Sequence, residues 1–214
     1  ISSATPGGIV GTLLFWSAFY IVFNAGFVII EHHGGKVFYM NKKTVALTAE
    51  QYKAIIDDIR TGHTGMRPNP RVATALVIEG NLGLRIGDIL QLKLSSFIRD
   101  GDRYRLDITE QKTGKKRSFT VPYLIYQYIE NYCLRNGIRR NDLIFPITER
   151  AVQKQLKIVC DYLDFEGIST HSFRKWYATE IYNANGFDIA LVQRLLQHSS
   201  ASTTQRYIGI EPQK

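Results

Sequence analysis

The small number of cysteines argues against a disulfide framework and against a zinc site. It has only two cysteines, Cys133 and Cys160, and both fall in apolar segments with helical spacing. That placement suits reduced thiols inside a core, in a reducing compartment, and not a disulfide framework. No group of cysteines and histidines has the spacing of a zinc site, and the sequence contains no internal repeat and no low-complexity tract.

Charge is also missing from one end of the chain. Residues 1–30 contain no charged side chain, and residues 9–30 are nearly all apolar, a length that could span a bilayer. The aromatic residues of this run cluster in its middle and no basic segment precedes it, unlike an interfacial belt or a signal peptide. We therefore predict an apolar leader of uncertain role at residues 1–39 and one domain at 40–214. For the leader, buried packing or extra sequence is favoured over a membrane anchor.

The part of the chain that follows is basic. The net charge is +8, the pI is near 9.5, and the whole excess lies after residue 39. The chain is 44% hydrophobic, which is enough for one real core. A basic balance on such a domain favours a polyanion such as nucleic acid as the partner, although solubility alone explains many basic proteins.

Four side chains near the carboxyl end suggest chemistry on a phosphate. His171 and Arg174 are three residues apart in a segment with helical spacing, so they share a face. His198 closes an apolar helical stripe, and Tyr207 follows nine residues later in a short polar segment. A guanidinium group matches phosphate oxygens, and nearby positive charge favours the phenolate of a tyrosine. Taken singly, each of these residues is as easily a surface or a core position.

Together these residues resemble the carboxyl-terminal signature of the tyrosine recombinases, the phage integrase family. The matching segments are H-S-F-R, H-S-S and the tyrosine nine residues after the second histidine. The family has two more motif residues upstream, and both have counterparts. N-L-G-L-R-I-G-D supplies Arg85, and E-Q-K-T-G-K-K-R supplies Lys112. Five ordered elements over residues 48–208 make this resemblance specific.

The expected fold is α+β and mainly α-helical, that of a tyrosine recombinase catalytic domain with a small antiparallel hairpin or three-stranded sheet. A capping box at Thr48 and the Asn69–Pro70 pair mark two helix starts. Over residues 97–121 the spacing changes from helical to alternating, and a tight K-T-G-K turn predicts a hairpin. Helical patterns return over residues 122–136 and 148–163.

The resemblance implies site-specific cutting and rejoining of DNA strands. Tyr207 would attack a backbone phosphorus and form a 3′-phosphotyrosyl link, while Arg85 and Arg174 hold the non-bridging oxygens. Cations fixed in advance stabilise the negative charge that develops during attack. The link retains the energy of the phosphodiester bond, so rejoining needs no ATP.

The remaining three family residues would move or share protons. His171 would donate to the phosphate or accept the phenol proton, His198 would donate to a non-bridging oxygen, and Lys112 would protonate the departing 5′ oxygen. Because the two arginines and the lysine supply the charge that Mg²⁺ gives other nucleases, we expect no metal and no other cofactor.

Further residues are predicted around this set. Asp88, three residues after Arg85, would orient that arginine. Candidate DNA contacts lie at the hairpin tip and on the helix after residue 148, where ordinary solvated faces are the alternative. They are Lys115, Lys116, Arg117, Arg150, Gln153, Lys154 and Lys157.

The implied partner is double-stranded DNA, with a monomer in solution, a tetramer on paired DNA sites and a cytoplasmic, nucleoid-associated location. Only 47 residues precede Thr48, where typical members carry a further helical DNA-binding domain. An accessory DNA-binding domain or protein is therefore part of the prediction.

Three other functions stay open. A type IB topoisomerase-like enzyme would use the same nicking and closing chemistry without pairing two sites. A catalytically inactive module would only bind DNA. A membrane-anchored protein would present its basic domain to lipid headgroups.

Overall fold

The computed structural model describes residues 44–62 and 65–210. The predicted leader and its boundary at residue 39 lie outside these residues. None of the helices described in the two ranges is long and apolar enough to cross a bilayer.

The first two helices begin where their capping residues predict. Helix α1, Ala49–Thr61, follows a capping box in which Thr48 Oγ1 accepts from the backbone N–H of Gln51 and the Gln51 side chain accepts from that of Thr48. Helix α2, Pro70–Leu82, follows Asn69, whose side chain accepts from the backbone N–H of Val72. These contacts satisfy amide groups that have no partner within the helix.

A short helix and a small sheet come next. Helix α3 spans Ile86–Leu90 and a 3₁₀ turn spans Leu94–Ser96. Strands β1, Phe97–Asp100, β2, Arg103–Thr109, and β3, Lys116–Val121, form an antiparallel sheet in the order β1-β2-β3. The predicted hairpin is therefore present, and β1 extends it to three strands.

Five helices follow in the part of the chain that the structure describes, namely α4, Tyr123–Arg135, α5, Glu149–Tyr162, α6, Thr170–Ala184, α7, Ile189–Leu196, and α8, Ala201–Ile208. The segment that holds Tyr207, expected to be short and polar, is helix α8. Ser200 starts it by accepting from the backbone N–H of Thr203 through its hydroxyl.

The buried apolar residues form two clusters of unequal size. The main core draws on α1 to α5, on the sheet and on the first half of α6. The second cluster has three buried members, Ala178, Val192 and Leu196, and the partly buried side chains packed against it include that of Tyr207. Helices α7 and α8 therefore rest on a small apolar cluster of their own, against the second half of α6.

Candidate active site

Arg174 is the buried centre of the site. Its side chain lies in α6 with 2% of the residue exposed, and its guanidinium donates to the backbone carbonyls of Gly83 and Leu196. Gly83 ends α2 and Leu196 ends α7, so one cation joins the ends of two helices. A positive charge at carbonyl-rich helix ends is electrostatically favourable. Burial lowers the pKa of Arg174, but a guanidinium remains charged at any working pH.

Gly83 allows the close packing that this arrangement needs. It takes the left-handed conformation with φ of +58°, and a Cβ there would lie 2.2 Å from the ring of Tyr177. Only glycine fits both demands without strain. The glycine before the L-R pair thus lets α6 approach the end of α2, where Arg174 reaches the Gly83 carbonyl.

Arg85 stands at the N-cap of α3 and is held by a buried carboxylate. Its Nη1 lies 2.6 Å from Oε2 of Glu110, a residue with 1% exposure. The same oxygen accepts from the hydroxyl of Thr113 at 2.8 Å. Glu110 therefore fixes the arginine and the β2–β3 turn together.

The partner predicted for Arg85 was Asp88, and the structure gives Glu110 instead. Arg85 has extended backbone angles, φ −74° and ψ 148°, so it is outside the helix and the i, i+3 relation does not bring the two side chains together. Asp88 accepts from the backbone N–H of Gln111 at 2.9 Å. It anchors the residue before Lys112.

Lys112 lies in a turn in which both backbone groups of Glu110 form hydrogen bonds across the turn. The backbone N–H of Glu110 donates to Lys115, and that of Gly114 donates back to the carbonyl of Glu110 at 2.8 Å. The lysine side chain itself is exposed. The turn fixes the base of a long, mobile side chain, which leaves the amine able to reach a substrate.

The two histidines sit in a field of positive charge. The pKa of His171 is lowered by burial, by Arg174, by Lys112 and by Arg85. Burial, Arg174 and Arg85 lower the pKa of His198 to about 4. Both rings are therefore neutral at pH 7, and the structure brings them to the same cations.

Tyr207 completes the group. Its ring meets that of His198 edge to face, with 5.0 Å between centres, and Lys175 Nζ lies 5.4 Å from the ring centre. Burial raises the pKa of Tyr207 to about 12, while Arg174 opposes that rise. The guanidinium of Arg174 is thus close by, yet among the described residues none completes a hydrogen bond of normal geometry with the buried hydroxyl.

The structure thus gathers the six residues predicted to be catalytic. They come from an N-cap, a turn, two helices and the loop between α7 and α8, and the mutual effects on pKa connect five of them to Arg174 directly or through His171. The predicted phosphate-binding cations, a phenol and two neutral imidazoles share one region. Such a set can hold a tetrahedral anion, supply a nucleophile and relay protons.

Arg117 corrects another prediction. It was expected to contact DNA from the hairpin tip, but 5% of it is exposed and its guanidinium donates to the carbonyl of Leu195. It also lies 3.7 Å from Oε1 of Glu110 and 4.7 Å from the ring centre of Phe119. Burial lowers its pKa to about 10. Arg117 therefore acts on the site indirectly, by pairing with Glu110, which in turn holds Arg85.

The other proposed DNA contacts are on the surface. Lys115 and Lys116 line an open depression together with His198 and the end of α7. On α5, Arg150, Gln153 and Lys154 are exposed, and Lys157 is paired with Asp161 at 2.7 Å. Their exposure leaves these side chains accessible to a polyanion.

Three residues around the site were given no role by the sequence. Glu110 and Thr204 belong to no motif: Glu110 contacts Arg85, 25 residues away, and Thr204 contacts His198 across the loop between α7 and α8. Lys175 directly follows Arg174 in the sequence, and no motif residue marks it. Its amine donates to the carbonyl of Thr44 while lying over the Tyr207 ring. Among the described residues, no three histidine, cysteine or carboxylate side chains are grouped as metal ligands would be.

Comparison with known proteins finds similarity in both sequence and fold. The model of the phage integrase family matches residues 46–214. The probable integrase/recombinase YoeC of Bacillus subtilis (strain 168) is 35% identical over 153 residues, 68% of this chain and 81% of that protein. The tyrosine recombinase XerA of Pyrococcus furiosus is 28% identical over 77% of this chain, but the match covers 57% of XerA.

Solved structures share the fold at lower identity. The XerH site-specific recombinase bound to difH matches 80% of this chain and 54% of its own, with a TM-score of 0.58 and 22% identity. A lambda integrase dimer bound to a COC' core site matches 85% of this chain and 52% of its own, with a TM-score of 0.61 and 21% identity. The chain therefore spans about half the length of these proteins.

Proposed function

The chain belongs to the phage integrase family, and from that membership we propose that it cuts and rejoins DNA strands by covalent catalysis at Tyr207. The observation that carries this proposal is the buried hydroxyl of Tyr207 beside the guanidinium of Arg174. A phenol placed against a fixed cation, with a second arginine nearby, suits attack on a phosphodiester. The recombinases named above support DNA as the substrate.

The proposed reaction balances without another reactant. The oxygen of Tyr207 bonds to phosphorus, the bond from phosphorus to the 5′ oxygen breaks, and the DNA keeps a 3′-phosphotyrosyl link. The phenol proton passes to His171, which is neutral because its pKa is lowered, and Lys112 gives a proton to the departing oxygen. Attack by another strand's 5′ hydroxyl reverses these steps.

The remaining cations hold the phosphate. Arg85 and Arg174 are fixed by Glu110 and by two backbone carbonyls before substrate arrives. Charge that develops on the non-bridging oxygens therefore meets donors that need no rearrangement. His198 adds a neutral donor to the same oxygens.

Double-stranded DNA is the proposed partner, bound by a monomer that assembles as a tetramer on paired sites. Lys115, Lys116, Arg150, Lys154 and Lys157 are the surface cations proposed to meet the backbone. Because the chain spans about half of several relatives, we propose that a further DNA-binding domain or protein completes site choice. A cytoplasmic, nucleoid-associated location follows from that partner.

Trapping the covalent protein–DNA complex tests the proposal and also identifies the DNA sequence that is cut. The full chain is incubated with nicked duplexes that carry a randomised core and a 5′ label, and is then denatured in detergent. We expect labelled DNA to travel with the protein, because a 3′ link retains the 5′ side of the cut strand. Sequencing the linked strands then gives the site.

Tyr207→Phe is the decisive variant for this trap. It removes one oxygen that lacks a hydrogen-bond partner among the described residues, so folding and DNA binding should persist while the adduct disappears. Tyr182→Phe, in the neighbouring part of α6, is the matched control and should retain it. An adduct of equal yield with Tyr207→Phe would contradict the nucleophile assignment.

Two rival functions give different outcomes on the selected site. A topoisomerase-like enzyme would relax a supercoiled plasmid without exchanging strands between two sites. A catalytically inactive module would bind the duplex and form no adduct under any condition. Strand exchange between two copies of the site on a plasmid would support a recombinase over both rival functions.

A further inference from the structure

Thr204 lies on α8, the helix of Tyr207, and contacts His198 in the loop between α7 and α8. It is fully buried, and its hydroxyl oxygen is 3.1 Å from Nδ1 of His198. It is also one turn before Tyr207 on α8. Among the contacts of the described residues, His198 is the histidine of the site whose ring nitrogen meets a side-chain hydroxyl.

The state of His198 makes this contact chemically important. The ring is neutral at pH 7, so it carries a single proton on one of its two nitrogens. A phosphate oxygen only accepts hydrogen bonds, so the nitrogen that meets it must carry that proton. Nδ1 is occupied by Thr204, which leaves Nε2 for the substrate.

The hydroxyl of Thr204 has two possible acceptors. Nδ1 of His198 is at 3.1 Å, and the carbonyl of Ser200 is at 3.3 Å. That carbonyl already accepts from the backbone N–H of Thr204 at 3.3 Å. If the hydroxyl donated to Ser200 instead, Nδ1 would have to carry the ring proton to bond Thr204, and Nε2 would have none to give a phosphate. Because the Ser200 carbonyl already has the backbone N–H as a donor, donation to the ring is the arrangement that fits a histidine serving a phosphate.

We propose that the Thr204 hydroxyl donates to Nδ1 of His198 and thereby keeps the ring proton on Nε2, where it serves the substrate phosphate. Thr204 is thus a positioning residue that selects the tautomer of the histidine. This inference rests on the proposed function for its catalytic consequence, but the tautomer itself is a property of the free protein. The orientation of one ring nitrogen commonly sets the role of the other.

The tautomer is read directly by nitrogen NMR on the full chain labelled at histidine. The chain has five histidines, and the signals of His198 are identified by their loss in His198→Gln. We expect Nδ1 to appear as an unprotonated nitrogen that accepts a hydrogen bond, and Nε2 to appear protonated. A proton on Nδ1 in the wild-type protein would overturn the proposal.

Threonine variants connect the tautomer to the reaction. Thr204→Val removes the hydroxyl at nearly constant shape, whereas Thr204→Ser keeps it. Thr203→Val is the matched control, because the hydroxyl of Thr203 meets Ser200 Oγ at 2.9 Å instead of His198. We expect Thr204→Val to slow single-turnover adduct formation at least ~10-fold and to change the His198 nitrogen signals. Thr204→Ser and Thr203→Val should behave like the wild type.

The outcomes separate this inference from the proposed function. Equal adduct rates for Thr204→Val and Thr203→Val would overturn the role of Thr204 even if the enzyme is active. Slow adduct formation with unchanged nitrogen signals would show a merely structural effect and also overturn it. A wild-type protein that forms no adduct would count against the proposed function, and the NMR measurement alone would then decide the tautomer.

Discussion

The two halves of the candidate site rest on different supports. Arg85 and the Lys112 turn are tied to the carboxylate of Glu110, which is buried against the main core. Tyr207 lies on α8 and His198 in the loop between α7 and α8, and the apolar cluster under these helices has three buried members among the described residues. Arg174 joins the halves, since it donates to Gly83 on one side and to Leu196 on the other.

In the proposed reaction, this difference separates the side chains that would hold the phosphate from the one that would attack it. The half that holds the phosphate gains from rigidity, because charges fixed in advance stabilise a transition state best. The half that attacks rests on few buried contacts, and such parts open locally at low free-energy cost. We therefore expect Tyr207, the proposed nucleophile, to move more easily than the cations proposed to bind the phosphate.

The largest expected effect comes from breaking the rigid half at Glu110. Glu110→Gln removes the negative charge shared by Arg85 and Arg117, so two partly or fully buried cations lose their partner. We expect the free energy of unfolding to fall by about 3 kcal/mol, measured by urea titration, and adduct formation to fall with it. Asp107→Asn alters an exposed carboxylate on β2, the strand that ends just before Glu110, and should change stability by less than ~1 kcal/mol. Equal losses in the two variants would remove Glu110 from its supporting role.

A matched pair of valines compares the supports directly. Val159 is fully buried in the main core and Val192 is 1% exposed in the small cluster. Each valine-to-alanine change removes two buried methyl groups, worth about 2 kcal/mol. We expect Val159→Ala to lower global stability, and Val192→Ala to speed amide hydrogen exchange mainly in α7 and α8. Uniform exchange changes in both variants would mean that the molecule opens as a single unit.

Two neighbouring cations on β3 test whether one residue contributes to stability and the other to DNA binding. Arg117→Met should lower stability with little change in the salt dependence of DNA binding, because the side chain is buried. Lys116→Met should leave stability within ~0.5 kcal/mol and reduce the slope of log affinity against log salt by about one. The measurements are urea unfolding and DNA binding at several salt concentrations, and exchanged phenotypes would contradict the burial of Arg117.

The smallest expected effect is a pH dependence of opposite sign in the two halves. His198 has a lowered pKa of about 4, so as pH falls from about 6.5 the unfolded chain takes up a proton that the folded chain refuses, and stability drops. Burial raises the pKa of Glu79 well above 4.5, so its stabilising contribution is complete below pH 4.5 and is lost as pH rises. In urea unfolding, His198→Gln should flatten the acidic limb, and Glu79→Gln should flatten the loss at higher pH. A flattening of the same limb by both variants would be inconsistent with these shifts.

Local sequence signals predicted the features that depend on neighbours in the chain. The caps at Thr48 and Asn69, the hairpin and the ordered motif residues all follow from short patterns, and the structure has them. The start of α8 carried a similar signal. Ser200 is a residue type that commonly caps a helix, and its presence could have predicted that helix.

The features that were missed depend on faces and on distant partners. Arg117 alternates with Phe119 and Val121 on the inward face of β3, and this period of two was hidden by the adjacent lysines in K-K-R. Asp88 seemed suitable for Arg85 only if that arginine was helical, which its N-cap position excludes. The partner of Arg85 is 25 residues away, and nothing in either local pattern points to the other.

The unpaired hydroxyl of Tyr207 has a consequence for what happens when a substrate arrives. The oxygen is hidden from solvent in the free protein and has no hydrogen-bond acceptor or donor among the described residues. Its dehydration is therefore completed by folding, before any DNA is present. A phosphate that reaches this oxygen has no water shell to strip from it and finds it already beside the guanidinium of Arg174.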